Sequence, residues 1–491
     1  MHPNDFKGTN HFSDWPEILT CILLFLCCSP DRLMSQSKIW TLGECLKRAS
    51  EKNIALNQSK LGNEVNRITW NQSRYNLYPN LNLYDAQNFS YGRSLDPVSY
   101  QYTNQNISGN IPSLTSNITL YSGLHNVNLV RENKLNYDAG GLDIERQQND
   151  LALNVLGAYM QVLLDEEAVN VAREQMNLTA SQLDRTDKYV KAGKFPELNL
   201  FQVQSQLAMD KSTEVDAVNT LQLAKVTLMQ LLELPVSSDF EILKPDLETT
   251  LSEAASLSPE EVYMTALSLQ PQIKSAGFRT RAAELDLKVT QSLLQPSLIM
   301  TGTLRTNYSS LRSQISDRLT YQQEDIGYVL GNLSQPVIGL VPVDRVTTSP
   351  YPFWNQMNDN FSQILSFSLT VPLFNNMQVK SAISKSKIGI ENARLNEESV
   401  QVQLRKVIEQ VYTDQTGAAK KLLAVNEQEL SEERTYGDME KKFNAGMAST
   451  TDYLIEKNNL NKAKLSKVSA KYDYVYKTKV VDFYLGKPIT F

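Results

Sequence analysis

The sequence predicts a mainly α-helical fold with membrane β-strands, built from internally duplicated long helical hairpins. Three observations predict it. A proline-free heptad pattern marks one very long helix, the chain aligns with itself over most of its length, and two regions alternate apolar with small polar residues. Together they indicate two similar halves, each with a long helical hairpin and a short strand region.

The longest helix is predicted around residues 142–193. Apolar residues recur there at intervals of seven, at Val155, Val162, Val169, Met176, Leu183 and Val190. This spacing keeps an apolar seam on one side of the helix and favours packing along other long helices. The helix is expected to end at Ala192-Gly193, because glycine is a common C-cap signal and Pro196 follows.

The chain aligns with itself in two blocks. Residues 41–81 align with 258–298 at an offset of 217, and residues 120–235 align with 373–488 at an offset of 253. A constant offset over more than a hundred residues indicates duplication rather than chance similarity between helices. The difference between the offsets, 253 − 217 = 36 residues, is an insertion between 298 and 373.

Each half is predicted to have the same order of elements. A first helix (41–78, then 258–295) ends at a proline, a strand region follows, and a long helix (123–192, then 376–445) leads through a tight turn into a return helix (198–233, then 451–486). At 1.5 Å per residue the long helix measures roughly 105 Å and the shorter ones about 57 and 55 Å. We therefore expect the two shorter helices to stack end to end beside the long one.

Composition and the first residues indicate an exported protein without a catalytic site. The chain has 491 residues and a net charge of -6, which does not favour nucleic-acid binding. The apolar run 18–28 fits the core of a signal peptide cleaved near Ser35-Gln36; a buried segment and a lipoprotein signal are the alternatives. Cleavage would leave only Cys45 and His125 of the cysteines and histidines. No catalytic, cofactor or metal site is therefore expected.

The two strand regions have a membrane-like pattern. Leu365, Phe367 and Leu369 alternate with serine and threonine, and residues 81–91 and 99–121 are rich in Asn, Ser, Tyr and Thr. Strands of about 9–11 residues with one apolar face cross a bilayer, although a half-buried soluble hairpin gives the same pattern. External loops are expected around 93–97 and at 309–360.

Counting these strands favours an oligomer. Two hairpins supply four strands per chain, and four strands cannot close a barrel, although lipid does not tolerate open strand edges. Two copies would give eight strands with a filled interior. Three copies would give twelve, the first number expected to leave a pore, and the prediction leans towards three.

These features together resemble the TolC-like outer-membrane efflux proteins over nearly all of 40–488. Residues 51–83 resemble the opening helix and its exit into the first strand. Pro372-Leu-Phe-Asn-Asn376 resembles the end of a membrane strand, with asparagine in place of the usual glycine, and the turns at Gly193 and Gly446 resemble the paired helix tips. The tract 89–97 resembles the Bacteroidetes-type branch.

The resemblance implies a fold and a function. It implies a homotrimeric α-barrel capped by a 12-stranded outer-membrane β-barrel with four strands per chain, in contact with outer-membrane lipid. It also implies a passive conduit, not an enzyme, that works with a periplasmic adaptor protein and an inner-membrane RND or ABC transporter in efflux or type I secretion. The alternatives are a periplasmic adaptor and a coiled-coil scaffold. Cargo cannot be inferred from the sequence.

The resemblance also implies where the functional residues lie. Adaptor docking is expected at the two helix tips, at Gly193, Lys194, Gly446 and Met447. We hypothesise that Asp452 forms a ring of three carboxylates at the periplasmic mouth and favours cations. Its counterpart in the first half is Asn199, so one repeat alone would supply the ring. The alternatives are a helix-start carboxylate that the N-terminal dipole stabilises and a carboxylate on a solvated face.

The expected segments follow from the repeats and the resemblance. They are a signal peptide or targeting segment (1–35), the first helix of repeat 1 (36–78), a membrane β-hairpin (79–122), a long helical hairpin (123–235), an equatorial linker (236–257), the first helix of repeat 2 (258–295), a second membrane β-hairpin with a long external loop (296–375) and the second long helical hairpin (376–491).

Overall fold

The structure is a computed structural model, and it describes residues 39–96, 100–237, 239–245 and 257–490. The expected targeting segment and residues 246–256 of the expected linker lie outside this part of the chain. Two compact units are present. Of the described residues, the helical unit comprises those up to Asn57, those within Arg146–Leu269 and those from Leu404 onward. The sheet unit comprises those within Gln58–Glu145 and Gln270–Gln403.

Helices make up most of the described chain. In chain order they are α1 (Leu42–Lys52), α2 (Ile54–Tyr75), α3 (His125–Lys191), α4 (Glu197–Leu231), α5 (Pro259–Leu269), α6 (Pro271–Ser292), α7 (Phe353–Asp359), α8 (Gln378–Asn444) and α9 (Thr450–Tyr484). None of the described helices is both long and apolar enough to cross a membrane.

The helix bounds confirm the internal duplication. Helices α1 and α2 begin and end 217 residues before α5 and α6, and α3 and α4 begin and end 253 residues before α8 and α9. These are the two offsets at which the sequence aligns with itself. The long helices α3 and α8 each have 67 residues, which corresponds to roughly 100 Å at 1.5 Å per residue.

The prediction of a single first helix in each half was wrong. The helix of the first half is interrupted at Asn53, whose side-chain oxygen accepts a hydrogen bond from the Leu56 amide at 3.0 Å and so caps α2. In the second half the interruption falls at the matching residue, Gln270, and α6 begins with Pro271. Proline has no amide hydrogen to donate, so it ends one helix and is accepted at the start of the next.

The strands form small antiparallel sheets and one parallel pair. In chain order they are β1 (Ile39–Trp40), β2 (Asn82–Tyr84), β3 (Gln87–Ser90), β4 (Ser94–Leu95), β5 (Tyr102–Thr103), β6 (Ile107–Asn110), β7 (Ser113–Tyr121), β8 (Glu241–Ile242), β9 (Ser297–Arg305), β10 (Tyr308–Ser309), β11 (Ser313–Val329), β12 (Asn332–Pro350) and β13 (Ser362–Thr370). The main sheet has the order β13-β9-β7-β2.

The segment 309–360, which the sequence predicts as an external loop, consists largely of regular structure. It contains β11 and β12, which pair from Ser313 with Pro350 to Val329 with Asn332, and the short helix α7. Its prolines suggested a loop, but both strands of a two-stranded ribbon are edge strands. Prolines can lie at the alternate positions whose amides face outward. Pro336, Pro342 and Pro350 all have even residue numbers and therefore lie on one alternating set of positions in β12.

The core of the helical unit joins both halves of the sequence. Tyr159 and Leu163 of α3, Leu228 of α4 and Val475 of α9 are buried in one cluster with residues of α1. The Tyr159 hydroxyl donates to the carbonyl of Leu243, just after β8, and burial raises the pKa of this tyrosine. Strand β8 pairs with β1 in parallel, so this core also holds the short strands before α1 and after α4.

The apolar seam of α3 is only half as long as the sequence predicted. Val155, Val162 and Val169 are buried, whereas Met176, Leu183 and Val190 are only half-buried. The buried residues in this second half are Ala172, Gln175, Thr179, Gln182 and Thr186. An α-helix drifts by about 20° per heptad from a strict seven-residue repeat, so a fixed spacing of seven rotates away from the contact face.

Polar contacts hold the helices of the sheet unit together. Asp143 of α3 accepts a hydrogen bond from the Ser275 hydroxyl of α6 at 2.8 Å and forms an ion pair with Arg279. His125, at the start of α3, lies 2.9 Å through Nδ1 from the hydroxyl of Ser292, the last residue of α6. These contacts hold α3, which follows the first strand region, against α6, which precedes the second.

Candidate functional site

The two helix tips have the same backbone geometry. Gly193 and Gly446 have φ angles of 72° and 74°, in the left-handed region that glycine adopts without strain. After α3 the Gly193 amide donates to Val190 and the Lys194 amide to Tyr189, both at 2.9 Å. The same pair of bonds follows α8. This Schellman motif explains why each long helix ends at its glycine.

The predicted docking residues are accessible in the single chain. Lys194 and Gly446 are exposed, and Met447, directly after the second glycine, is 74% exposed. The last turns of α3 and α8 carry lysines, which suit the negative ends of the helix dipoles. Nothing lies within 4 Å of the position that a Cβ atom would take at Gly193 or Gly446, so the glycines serve the turn rather than a close contact.

An aromatic cluster, which the sequence analysis did not identify, joins the two tips inside the helical unit. The ring of Phe195, in the first turn, lies 5.2 Å from Tyr189 and 5.8 Å from Phe443. Phe443 stacks on Tyr453 of α9 at 4.7 Å. Phe443 is 2% exposed and Tyr453 is 4% exposed. The two turns are therefore one packed structure rather than two independent loops.

A tyrosine pair extends this cluster along α8. The hydroxyl oxygens of Tyr436 and Tyr453 lie 2.9 Å apart, and burial raises the pKa of both phenols. Both side chains thus stay neutral at physiological pH. Sequence reasoning had no signal for the cluster, because the aromatic residues of one tip align with different residue types in the other.

The two residues proposed for the mouth lie at the starts of the return helices. Ser449 caps α9: its hydroxyl accepts from the Asp452 amide at 3.0 Å and donates to the Asp452 carboxylate at 2.7 Å. The carboxylate is exposed. Asn199 lies in the first turn of α4, where Pro196 provides no side-chain cap. Asp452 thus stabilises a helix start in the single chain, and its carboxylate remains accessible to an ion.

A buried polar network lies beyond the tips, among α3, α4 and α9. Lys457 is 2% exposed, and its ammonium donates to the carbonyl of Gln175 at 3.3 Å and to the Thr179 hydroxyl. Thr179 in turn donates to Asp210, and Gln206 donates to the same carboxylate at 2.7 Å. Burial lowers the pKa of Lys457 to about 8, and the nearby Asp210 partly opposes that shift.

This network explains why the buried residues in the second half of the α3 seam are mostly polar. Asn458, next to Lys457, donates to Gln206 of α4 at 3.3 Å and accepts from Gln175 of α3 at 3.4 Å. Side chains of three helices therefore pair with each other where the seam would otherwise be apolar. Such a network requires one register of the helices, because a shift leaves buried polar groups without partners.

The main sheet of the sheet unit has two chemically different faces. Residues that pair across strands lie on the same face. One face is formed largely by Leu83, Leu114, Ile118, Leu298, Met300, Leu304, Leu365, Phe367 and Leu369, as the pairing of the strands shows. The opposite face is mostly Asn, Ser and Thr, and there the Thr301 hydroxyl donates to the Asn117 side chain at 2.7 Å.

The main sheet also has two open edges in the single chain. Strands β13 and β2 are the outer strands, and each pairs with one neighbour. Strands β7, β9 and β13 have nine residues each, a length that crosses a bilayer when tilted. The described residues contain no cluster of His, Cys, Asp and Glu that could hold a metal ion.

The family model for "Outer membrane efflux protein" matches residues 45–233 and 262–487, more than half of the chain and parts of both repeats. No curated protein matches the chain significantly in sequence.

Solved outer-membrane proteins share the fold. VceC of Vibrio cholerae superposes with a TM-score of 0.73 at 12% identity, covering 91% of this chain and 97% of its own. The Campylobacter jejuni channel CmeC has a TM-score of 0.66 at 15% identity and coverages of 91% and 85%. The Neisseria gonorrhoeae channel MtrE, in its open state, has a TM-score of 0.63 at 16% identity and coverages of 91% and 89%. The expected likeness to the Bacteroidetes-type branch stays a prediction.

Proposed function

Since the chain belongs to the outer membrane efflux protein family and is an outer-membrane channel for efflux, we propose that three copies complete one conduit. The observation that carries this proposal is the four-stranded sheet with one apolar face, one polar face and two open edges. Open edges are not tolerated in lipid, so the edge strands require partners from other copies. Three copies supply twelve strands, enough to leave a water-filled interior.

In this arrangement the two faces have separate roles. The apolar face contacts outer-membrane lipid, and the Asn, Ser and Thr face lines the interior. The helical hairpins of the three copies continue the conduit as an α-barrel in the periplasm. No residue of the chain performs a chemical step: the channel is passive, and the energy comes from an inner-membrane RND or ABC transporter.

We further propose that the paired tips are the docking point of a periplasmic adaptor protein. Gly193, Lys194, Gly446 and Met447 are exposed at the ends of helices that the aromatic cluster holds together. An adaptor that binds one tip therefore also acts on the other. The family match supports the channel rather than the alternatives of a periplasmic adaptor or a coiled-coil scaffold.

The segment boundaries belong to the same proposal. Residues 1–35 are a targeting segment removed on export, and 236–257 form a linker between the repeats. N-terminal sequencing of the mature protein tests the first boundary. A mature chain that begins near residue 36 supports cleavage, whereas a retained segment contradicts it.

Membrane fractionation and gel mobility test the three-copy channel. We expect the protein in the outer-membrane fraction as an SDS-resistant species of three times the chain mass, which heating converts to the monomer. Cysteines placed at Asn82 on β2 and Ser366 on β13 should be joined between copies by a bifunctional maleimide. A protein that remains monomeric in the membrane, or a soluble one, refutes the proposal.

Single-channel recording tests the carboxylate ring. We expect Asp452→Asn to reduce cation selectivity and block by multivalent cations, because a ring of three charges is lost while the helix cap keeps its shape. The matched variant Asn199→Asp adds a second ring and should increase cation selectivity. If Asp452→Asn leaves cation selectivity unchanged, Asp452 stabilises the start of α9 and does not form a selectivity ring.

A further inference from the structure

A long β-ribbon projects from the loop end of the second membrane hairpin. Strands β11 and β12 have 17 and 19 residues, which corresponds to roughly 55 Å at about 3.3 Å per residue. Gly331, with a φ of 93°, forms the turn at its far end. The far half of this element, residues 326–342, contains no Asp, Glu, Lys or Arg; we call it the distal ribbon.

The distal ribbon exposes apolar side chains to an unusual extent. Leu330 at the turn is fully exposed, and Ile326, Ile338 and Leu340 are each about 60% exposed. The ribbon has two strands, and these four side chains are not covered by other parts of the single chain. Exposed apolar surface of this kind marks an interaction surface.

Lipid does not fit this surface. Each strand of the ribbon pairs only with the other, so both outer edges present backbone amides and carbonyls without a strand partner. A hydrocarbon environment cannot satisfy such groups. The occupant therefore has to supply both apolar side chains and strand edges, which means another β-strand.

We propose that the distal ribbon pairs with the distal ribbons of the other copies in the same channel. This inference rests on the proposed three-copy barrel. Twelve strands about 4.8 Å apart and tilted by about 40° give a radius of roughly 12 Å and place equivalent ribbon bases about 20 Å apart. That separation is well below the length of the ribbon, so the three apolar ends can meet.

Tethering favours this partner over a separate protein. Ribbons fixed to one barrel face each other at an effective concentration of the order of millimolar, and each brings the apolar surface and open edges that the others lack. Glu324 and Asp325 mark the end of the uncharged part on β11. Association is therefore confined to the distal ribbon, above the external mouth of the channel.

Disulfide formation in the intact protein tests the contact. With Leu330→Cys in the full chain in the outer membrane, mild oxidation should link two copies covalently. Ser313→Cys, at the base of the same ribbon, is the matched control. Bases about 20 Å apart exceed the Cα separation of 4.4–6.8 Å that a disulfide allows, so this control should not cross-link. Cys45, the cysteine in the described chain, is buried.

A charge variant separates specific association from chance collision. Adding Ile338→Glu and Leu340→Glu to Leu330→Cys places like charges in the contact, and we expect the cross-linked fraction to fall at least tenfold. The SDS-resistant trimer, measured in the same samples, should persist. Cross-linking that survives both glutamates overturns the inference.

The remaining outcomes distinguish the contact between ribbons from the three-copy channel on which it rests. A trimer without the Leu330→Cys cross-link overturns ribbon pairing and leaves the channel standing. A cross-link to a different protein also overturns it, because the occupant is then another chain. If the protein without substitutions forms no SDS-resistant trimer, the three-copy channel and the ribbon contact are both overturned.

Discussion

The contact between Phe195 and Phe443 predicts that the two helix tips open together. Phe443 is 2% exposed, stacks on Tyr453 and touches the ring of Phe195 from the other repeat. Replacing a buried phenylalanine with alanine costs about 3–5 kcal/mol. If about 3 kcal/mol of that cost appears as easier local opening, amide exchange at the tips accelerates by roughly two orders of magnitude, because each 1.4 kcal/mol is a factor of ten.

Hydrogen exchange measured by mass spectrometry on the detergent-solubilised protein provides the assay. With Phe443→Ala we expect faster exchange in peptides that cover 440–450 and also in those that cover 187–196. Phe443→Leu is the matched control: it keeps most of the apolar volume and should cost less than about 1.5 kcal/mol. Phe201→Ala removes an exposed ring from α4 and should change exchange little.

A double-mutant cycle isolates the contact between the tips. Leucine at Phe195, at Phe443 and at both positions should give a coupling of about 0.5–1.5 kcal/mol, the usual range for an aromatic pair. If Phe443→Ala accelerates exchange only at 440–450 and the cycle shows no coupling, the two turns are independent. An adaptor bound to one tip would then not act on the other.

Three further predictions follow from the helices. Gly446→Ala should destabilise the second tip by about 1–2 kcal/mol through its positive φ, whereas Gly417→Ala within α8 should stabilise the protein by up to about 1 kcal/mol; equal signs in thermal unfolding would contradict this. Because burial lowers the pKa of Lys457 to about 8, the folded state loses this proton before the unfolded state does. Stability relative to Lys457→Met should therefore rise by about 1.3 kcal/mol between pH 7 and 9, and a fall would refute the assignment. Asp143→Ala should destabilise more than Arg279→Ala in denaturant melts, because Asp143 also accepts a hydrogen bond from a serine hydroxyl at 2.8 Å, and the reverse order would contradict that role.

The sequence by itself determined the duplication and the ends of the long helices. Glycine, proline and capping residues act within a few positions of themselves, so Gly193 and Gly446 could be recognised as turns before any contact was known. Asn53 and Pro271 carried local signals of the same kind, and the interruption of the first helix in each half could have been predicted from them. The alternation along β13 likewise indicated a sheet with two different faces.

The tertiary structure alone decided what the helices and strands pack against. Phe195 and Phe443 are almost 250 residues apart, and Lys457 of α9 donates to two residues of α3 about 280 residues away. Periodicity in one segment contains no information on such partners. The seam of α3 shows the same limit, because its second half is buried by polar pairing rather than apolar burial. Strand pairing is equally non-local, and for that reason a proline-containing segment that suggested a loop is the long ribbon of β11 and β12.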